Sequence, residues 1–210
     1  LRAAGKLRPA NRGGIIMRRP GAWRVAGSRL IHADRWIRLR ADSCITPEGA
    51  VLDPYYVLEY ADWVHVVAIT DDDCLIVNHQ YRHGAGLVHL ELPGGVMDAA
   101  DDGALAAAAR ELREETGFAA REFRHITSLS PNSATHTNRI HIVLALGAYA
   151  DGVQSLDAGE EIAVELLPLA EIPALVGSGA FLQAAHVASL MLALQAIGRV
   201  QFHVTPKATP

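Results

Sequence analysis

Glu111, Glu114 and Glu115 fall within Arg110-Glu111-Leu112-Arg113-Glu114-Glu115-Thr116-Gly117, and an alanine-rich stretch ahead of them favours helix. Positions i, i+3 and i+4 of a helix are neighbours, so the three carboxylates share a face and repel at roughly 0.2–0.5 kcal/mol per pair. A cation offsets that repulsion, and carboxylate oxygens suit a hard divalent ion, Mg²⁺ or Mn²⁺. Upstream stands Glu91-Leu92-Pro93-Gly94-Gly95, whose glycines let the backbone approach a ligand or metal closely. Arg110, beside Glu111, can orient the carboxylates through charge-assisted hydrogen bonds. A metal so held binds phosphoryl oxygens as a Lewis acid and lowers the pKa of a bound water, whose attack on phosphorus splits a pyrophosphate link.

These groups need elements to position them. From Arg29 to Tyr60 the pattern predicts strands, over Arg35–Ile45 and Tyr55–Tyr60, separated by Pro47-Glu48-Gly49. Trp63–Thr70 and Cys74–His79 read as a hairpin about the Asp71-Asp72-Asp73 turn, and Val88–Leu92 as a short strand. A helix is expected over Gly103–Thr116, with Leu105, Ala108, Ala109 and Leu112 as its apolar stripe and Gly117 as its stop. Strands follow at Phe123–Leu129, Arg139–Gly147 and Glu161–Leu167, then helices at Leu169–Val176 and Phe181–Ile197. The fold class is α+β: a mixed β-sheet between helices, an α/β/α sandwich, with an N-terminal antiparallel β element.

Composition narrows the partners. The chain has 210 residues, half of them hydrophobic, with a formal net charge of −4. That balance argues against a general nucleic-acid binder, which carries a basic patch or stripe. No apolar run reaches the roughly 20 residues that span a bilayer, so no membrane partner is expected. Cys44 and Cys74 make neither a disulfide framework nor a zinc site and fit a reducing cytoplasm. The first 33 residues carry eight Lys or Arg and no acid. The expected division is a basic, disordered extension over 1–28, a β element over 29–60, the main domain over 61–200 and a tail over 201–210.

Gly-x5-Glu-x7-Arg-Glu-U-x-Glu-Glu-x-Gly-U, with U a bulky apolar residue, is the signature of the Nudix hydrolases. Arg110, Glu111, Leu112, Glu114, Glu115, Gly117 and Phe118 match its second half. The first half departs from it: Asp102 stands where the family has Glu, with six residues rather than five after Gly95. Asp101 restores that gap but leaves eight residues before Arg110, and Asp98 is a further acid in this loop. Trp63–Thr70, Val77-Asn78-His79-Gln80-Tyr81-Arg82 and Glu91–Gly95 resemble the ADP-ribose pyrophosphatase branch.

The resemblance implies a Nudix fold and a Mg²⁺-dependent pyrophosphohydrolase (Mn²⁺ as the alternative ion) acting on a nucleoside diphosphate linked to another moiety, foremost ADP-ribose or a nucleotide sugar. It implies Glu111 and Glu115 as main metal ligands, Glu114 as a further one, and the Gly95 backbone completing the shell. Arg110 is implied as orienting group, Arg82 and Glu91 as substrate contacts, and Glu160, with Glu161 next, as catalytic base. The loop Ser130–Arg139 resembles a substrate-lining loop, which makes His136 and Asn138 candidates for contact with base or sugar. The N-terminal β element implies a homodimer. Two rivals stay open: a non-catalytic nucleotide sensor on the same fold, and a Nudix enzyme of dinucleoside polyphosphates, NADH or nucleoside triphosphates. An EF-hand at Asp98–Gly103 fails, because its third and twelfth positions hold Ala100 and Ala109.

Overall fold

The computed structural model describes residues 20–203, so the expected extension over 1–19 and the last residues of the tail lie outside the described residues. Strands β1 (Arg24–Ala33), β2 (Arg38–Ile45) and β3 (Val51–Leu58) form an antiparallel sheet in that order. Strand β1 begins inside the stretch expected to be an extension. Its glycine is accommodated by an irregularity in register between Val25 and Gly27, and Val25, Leu30 and Ile31 supply β propensity.

The second sheet has seven strands: β4 (Trp63–Thr70), β5 (Cys74–Arg82), β6 (Leu87–Glu91), β7 (Gly94–Val96), β8 (Phe118–Leu129), β9 (Ile140–Ala150) and β10 (Ile162–Pro168). Its main path runs β10-β5-β4-β9-β8. It is mixed because β4 and β9 run parallel while the other pairs are antiparallel. The β4–β5 hairpin is joined near its turn, at Ile69 and Leu75, and splays apart beyond it. Strand β6 fills one arm of the fork, pairing Asn78 with Glu91 and Arg82 with Leu87. Strand β7, not expected from the sequence, fills the other, pairing His65 with Gly94 and Val64 with Gly95. The fork brings Arg82, Glu91 and the glycine pair to one place.

Helix α1 (Ala104–Thr116) covers one face of this sheet, and α2 (Ile172–Ser178) with α3 (Ala184–Ala196) covers the other. Val66 and Ala68 pack toward Ala107, Ala108 and Leu112 of α1, while Val67 and Ile69 pack toward Leu190, Ala193 and Leu194 of α3. A strand buried on both faces reads as a continuous apolar run, as Trp63–Thr70 does. The α1 stripe is rotated from the expected one: Leu105 is exposed, and the buried line is Ala107, Ala108, Glu111, Leu112, Glu115 and Thr116. The helix expected over Leu169–Val176 divides into a 3-10 turn, Leu169–Glu171, and α2, whose Pro173 fits a first helical turn. The last helix is shorter than expected, and Phe181 enters the core from the loop before it. No helix among the described residues is long and apolar enough to cross a membrane.

Candidate functional site

The register of α1 draws two carboxylates onto its buried side. Glu111 and Glu115, four residues apart, are 9% and 6% exposed. Glu114, on the flank, is half-exposed. Glu115 Oε2 accepts the Gly94 N–H at 2.8 Å and Asn78 Nδ2 at 2.9 Å, and no hydrogen bond is made to its Oε1 among the described residues. Burial, the charges of Glu111 and Glu160 adding to it, pushes the Glu115 carboxyl up to about 8 despite those two bonds. Burial also raises Glu111, against the opposing Arg110 guanidinium.

The two glycines stand where they do for different reasons. Gly94 has φ +151°, and a Cβ there would lie 2.1 Å from the Val64 carbonyl oxygen. A Cβ on Gly95 would lie 2.7 Å from Glu111 Oε1, so the bare backbone sits directly against that carboxylate. Arg110 ties the helix to the preceding loop: it donates to Glu111 (2.9 Å), Glu114 (3.0 Å), the Val96 carbonyl (3.1 Å) and both oxygens of Asp101 (3.1 and 2.8 Å). Asp101, rather than Asp102, is therefore the acid that takes up the irregular loop. Asp101 Oδ2 also accepts the Asp98 N–H, while Asp98 reaches Arg110 at 3.9 Å.

The fork opens into a cavity of about 580 Å³, lined by Trp63, His65, Arg82, His89, Glu91, Gly94, Gly95, Gln183 and His186 among others. Glu91 is 2% exposed. It accepts two parallel bonds from Arg82, Nε to Oε1 at 2.8 Å and Nη2 to Oε2 at 2.6 Å, a bidentate pair that fixes the plane of the guanidinium. His89 Nε2 stands 3.2 Å from Glu91 Oε1, and His186 Nε2 3.7 Å from Oε2. His65 and His186 stack with ring centroids 4.2 Å apart. Burial holds both rings neutral, pulling each pKa down to about 3.

The remaining sequence candidates divide. Glu160 sits in a turn closed by Asp157 N–H to its Oε2 at 3.0 Å. It is near enough for its charge to raise Glu111, Glu115 and Arg82. Glu161 is exposed and makes no hydrogen bond or ion pair among the described residues. His136 stacks on Tyr60 at 5.4 Å and, like Asn138, does not line the cavity. Asn138 is buried, with neither amide atom hydrogen-bonded among the described residues. Sequence reasoning missed Asn78, His65, His89 and His186, and left Asp101 and Asp102 as alternatives. For His186, its polar type and that of Ser189, three residues on in a mainly apolar helix, are the signal that could have found it.

No three His, Cys, Asp or Glu side chains among the described residues are grouped tightly enough to make a metal centre by themselves. The donors present nevertheless suit a hard divalent cation. Glu111 and Glu115 offer carboxylate oxygens, the free Oε1 of Glu115 among them, and the bare Gly95 backbone leaves the Glu111 carboxylate unobstructed. Every donor is an oxygen, and two of the carboxylates are held in place by hydrogen bonds that fix their orientation.

Comparison with known proteins follows the same line. Residues 60–185 match the NUDIX domain, and residues 23–58 the nucleoside diphosphate sugar hydrolase N-terminal domain. A CMP-5'-(N-acetyl-N-hydroxy-3-aminopropyl)phosphonate hydrolase from Streptomyces rubellomurinus is 29% identical over 75% of each chain. An ADP-ribose pyrophosphatase from Mycobacterium tuberculosis is 32% identical, over 57% of this chain and 58% of its own length. The crystal structure of an ADP compounds hydrolase shares the fold with a TM-score of 0.77 at 24% identity, covering 88% of this chain and all of that one.

Proposed function

The chain belongs to the Nudix family and is a hydrolase of it, and from that premise we propose that it cleaves the pyrophosphate bond of a nucleoside diphosphate linked to another moiety. ADP-ribose or a nucleotide sugar is the substrate class, and the products are a nucleoside monophosphate and the phosphorylated second moiety. The observation that carries this reading is that the Arg82–Glu91 pair and Gly94-Gly95 line one cavity while Glu115, outside that lining, is bonded to the Gly94 N–H. Family members use divalent metals. We assign Mg²⁺ here, held by Glu111 and Glu115, with Glu114 and the Gly95 carbonyl completing the set. When bound, it supplies Lewis acidity toward phosphoryl oxygens and a lowered pKa for attacking water.

The side chains then have separate tasks. Arg82, its guanidinium plane fixed by Glu91, keeps Nη1 for an oxygen of the diphosphate. Glu160 takes the proton from water as its oxygen bonds to phosphorus, and the bridging P–O bond breaks with its electron pair leaving on the phosphorylated product. Arg110 holds Glu111 and Glu114 in register through Asp101. We further propose a homodimer, supported by a sheet that exposes Val25, Leu30, Ile31 and Tyr56, with Trp23 exposed just ahead of it. A reducing cytoplasm suits the free thiols Cys44 and Cys74. Hydrolysis of ADP-ribose, followed against Mg²⁺ concentration, tests the site: Glu111→Gln should lower kcat at least a hundredfold, and an unchanged Mg²⁺ dependence overturns the ligand assignment.

A further inference from the structure

Helix α3 forms a wall of the cavity that this chemistry leaves unused, and it presses one buried imidazole against both halves of the site. His186 is 4% exposed. Its Nδ1 accepts the Leu92 N–H at 3.2 Å, which leaves the single proton of a neutral ring on Nε2. Nε2 lies 3.7 Å from Glu91 Oε2, beyond direct hydrogen-bond length, so its N–H acts on the carboxylate through its charge distribution alone. The ring cannot swing away. It lies within 9° of parallel to His65, whose Nδ1 is bonded to Ser189 Oγ at 3.0 Å one turn along α3.

The two nitrogens meet different machinery. Leu92 leads into Pro93 and Gly94; the Pro93 carbonyl is tied to Val66 N–H at 2.8 Å, and the Gly94 N–H holds Glu115 at 2.8 Å. Glu91, on the other side, holds Arg82. We propose that His186 is a positioning residue with two separable actions: its Nδ1 sets the Leu92–Gly94 backbone and through it Glu115, and its Nε2–H sets the Glu91–Arg82 pair. The proposal rests on the reading of Glu115 as metal ligand and Arg82 as diphosphate ligand. It accounts for a neutral histidine beside a carboxylate, since an imidazolium would have no lone pair left for the Leu92 N–H.

Asparagine and glutamine separate the two actions. The Oδ1 of Asn stands where imidazole Nδ1 does and lacks the distal donor; the Nε2 of Gln stands where imidazole Nε2 does and lacks the proximal acceptor. With Mg²⁺ and ADP-ribose, His186→Asn should raise KM about two- to threefold, the low end of one hydrogen bond's effect, with the half-saturating Mg²⁺ concentration kept. His186→Gln should raise that Mg²⁺ concentration and lower kcat, each about fivefold, with KM kept, the scale of one neutral hydrogen bond. Variants that shift KM and Mg²⁺ dependence by the same factor, or shift neither, overturn the proposal. Loss of fold in either, seen by thermal unfolding, leaves the wild-type nitrogen spectrum to decide: Nε2 protonated and Nδ1 bare supports it, and the opposite tautomer overturns it. A wild-type protein that hydrolyses nothing removes the functional reading itself and the proposal with it, an outcome distinct from the variant results.

Discussion

Replacing Glu115 with Gln should stabilise the metal-free protein while abolishing turnover. The folded carboxyl ionises at about 8 rather than near 4.5, so between those values the folded state keeps a proton that the unfolded chain has lost. The penalty is full above about pH 8 and drains away as pH falls to 4.5. At pH 7 it spans the gap from 4.5, which at about 1.36 kcal/mol per tenfold is on the order of 3 kcal/mol. Gln carries no charge to bury and keeps an oxygen for the Gly94 and Asn78 donors. For a chain of this size the gain corresponds to a rise in Tm of roughly 6–12 °C. The assay is thermal unfolding of both proteins in excess EDTA at pH 7 and again at pH 5, where the gain should shrink to about 1 kcal/mol or less. Added Mg²⁺ should raise the Tm of wild type, by binding only the folded state, and leave the variant where it was. A variant that melts at or below wild type at pH 7, or whose gain is the same at pH 5, refutes the reasoning.

His65 and His186 carry the opposite sign. With folded pKa values of about 3 against an ordinary 6.5, they refuse protons that the unfolded chain accepts, so stability present above pH 6.5 is lost on acidification. At pH 5 the loss is about 2 kcal/mol for each ring, read most cleanly as a falling Tm in the Glu115→Gln background; a flat profile from pH 7 to pH 5 contradicts it. Gly94→Ala should unfold the protein or nearly so, because backbone strain and the clash with Val64 each cost about 1–3 kcal/mol. Gly95→Ala should fold and lose Mg²⁺ affinity, since only the Glu111 carboxylate must move; equal melting of the two variants is the contrary result. Asp101→Asn should leave Arg110 with neutral acceptors in that loop and lower kcat about tenfold, whereas Asp102→Asn should do nothing measurable; the reverse ranking contradicts the assignment of Asp101.

Much of this was legible in the chain because the signals were local. Helix α1, its stop at Gly117 and strand β4 are written in short-range propensity and patterning, and the carboxylate trio in its own spacing. What the sequence hid is what the fork creates. Arg82 and Glu91 were marked as substrate contacts, but nothing local reveals that they bond to each other across β5 and β6. The α1 stripe was misplaced by a rotation because Glu111 and Glu115, polar in type, lie on the buried side, and a hydrophobic pattern cannot count buried acids. His65 and His186 are 121 residues apart, as their numbers show, and meet only when α3 crosses β4. The loop from Asp98 to Asp102 offered two alignments, and the choice of Asp101 follows from the reach of the Arg110 fork rather than from counting.

The central claim is metal-dependent cleavage of a nucleoside diphosphate at its pyrophosphate bond. It is tested most directly by incubating the protein, with Mg²⁺ and with EDTA, against ADP-ribose, nucleotide sugars, dinucleoside polyphosphates, NADH and nucleoside triphosphates, and identifying the products by chromatography. The account predicts AMP and ribose 5-phosphate from ADP-ribose, or the matching pair of monophosphates from a nucleotide sugar, in the Mg²⁺ reaction alone. Tight binding of any of these compounds without hydrolysis, or turnover undiminished in EDTA, contradicts it.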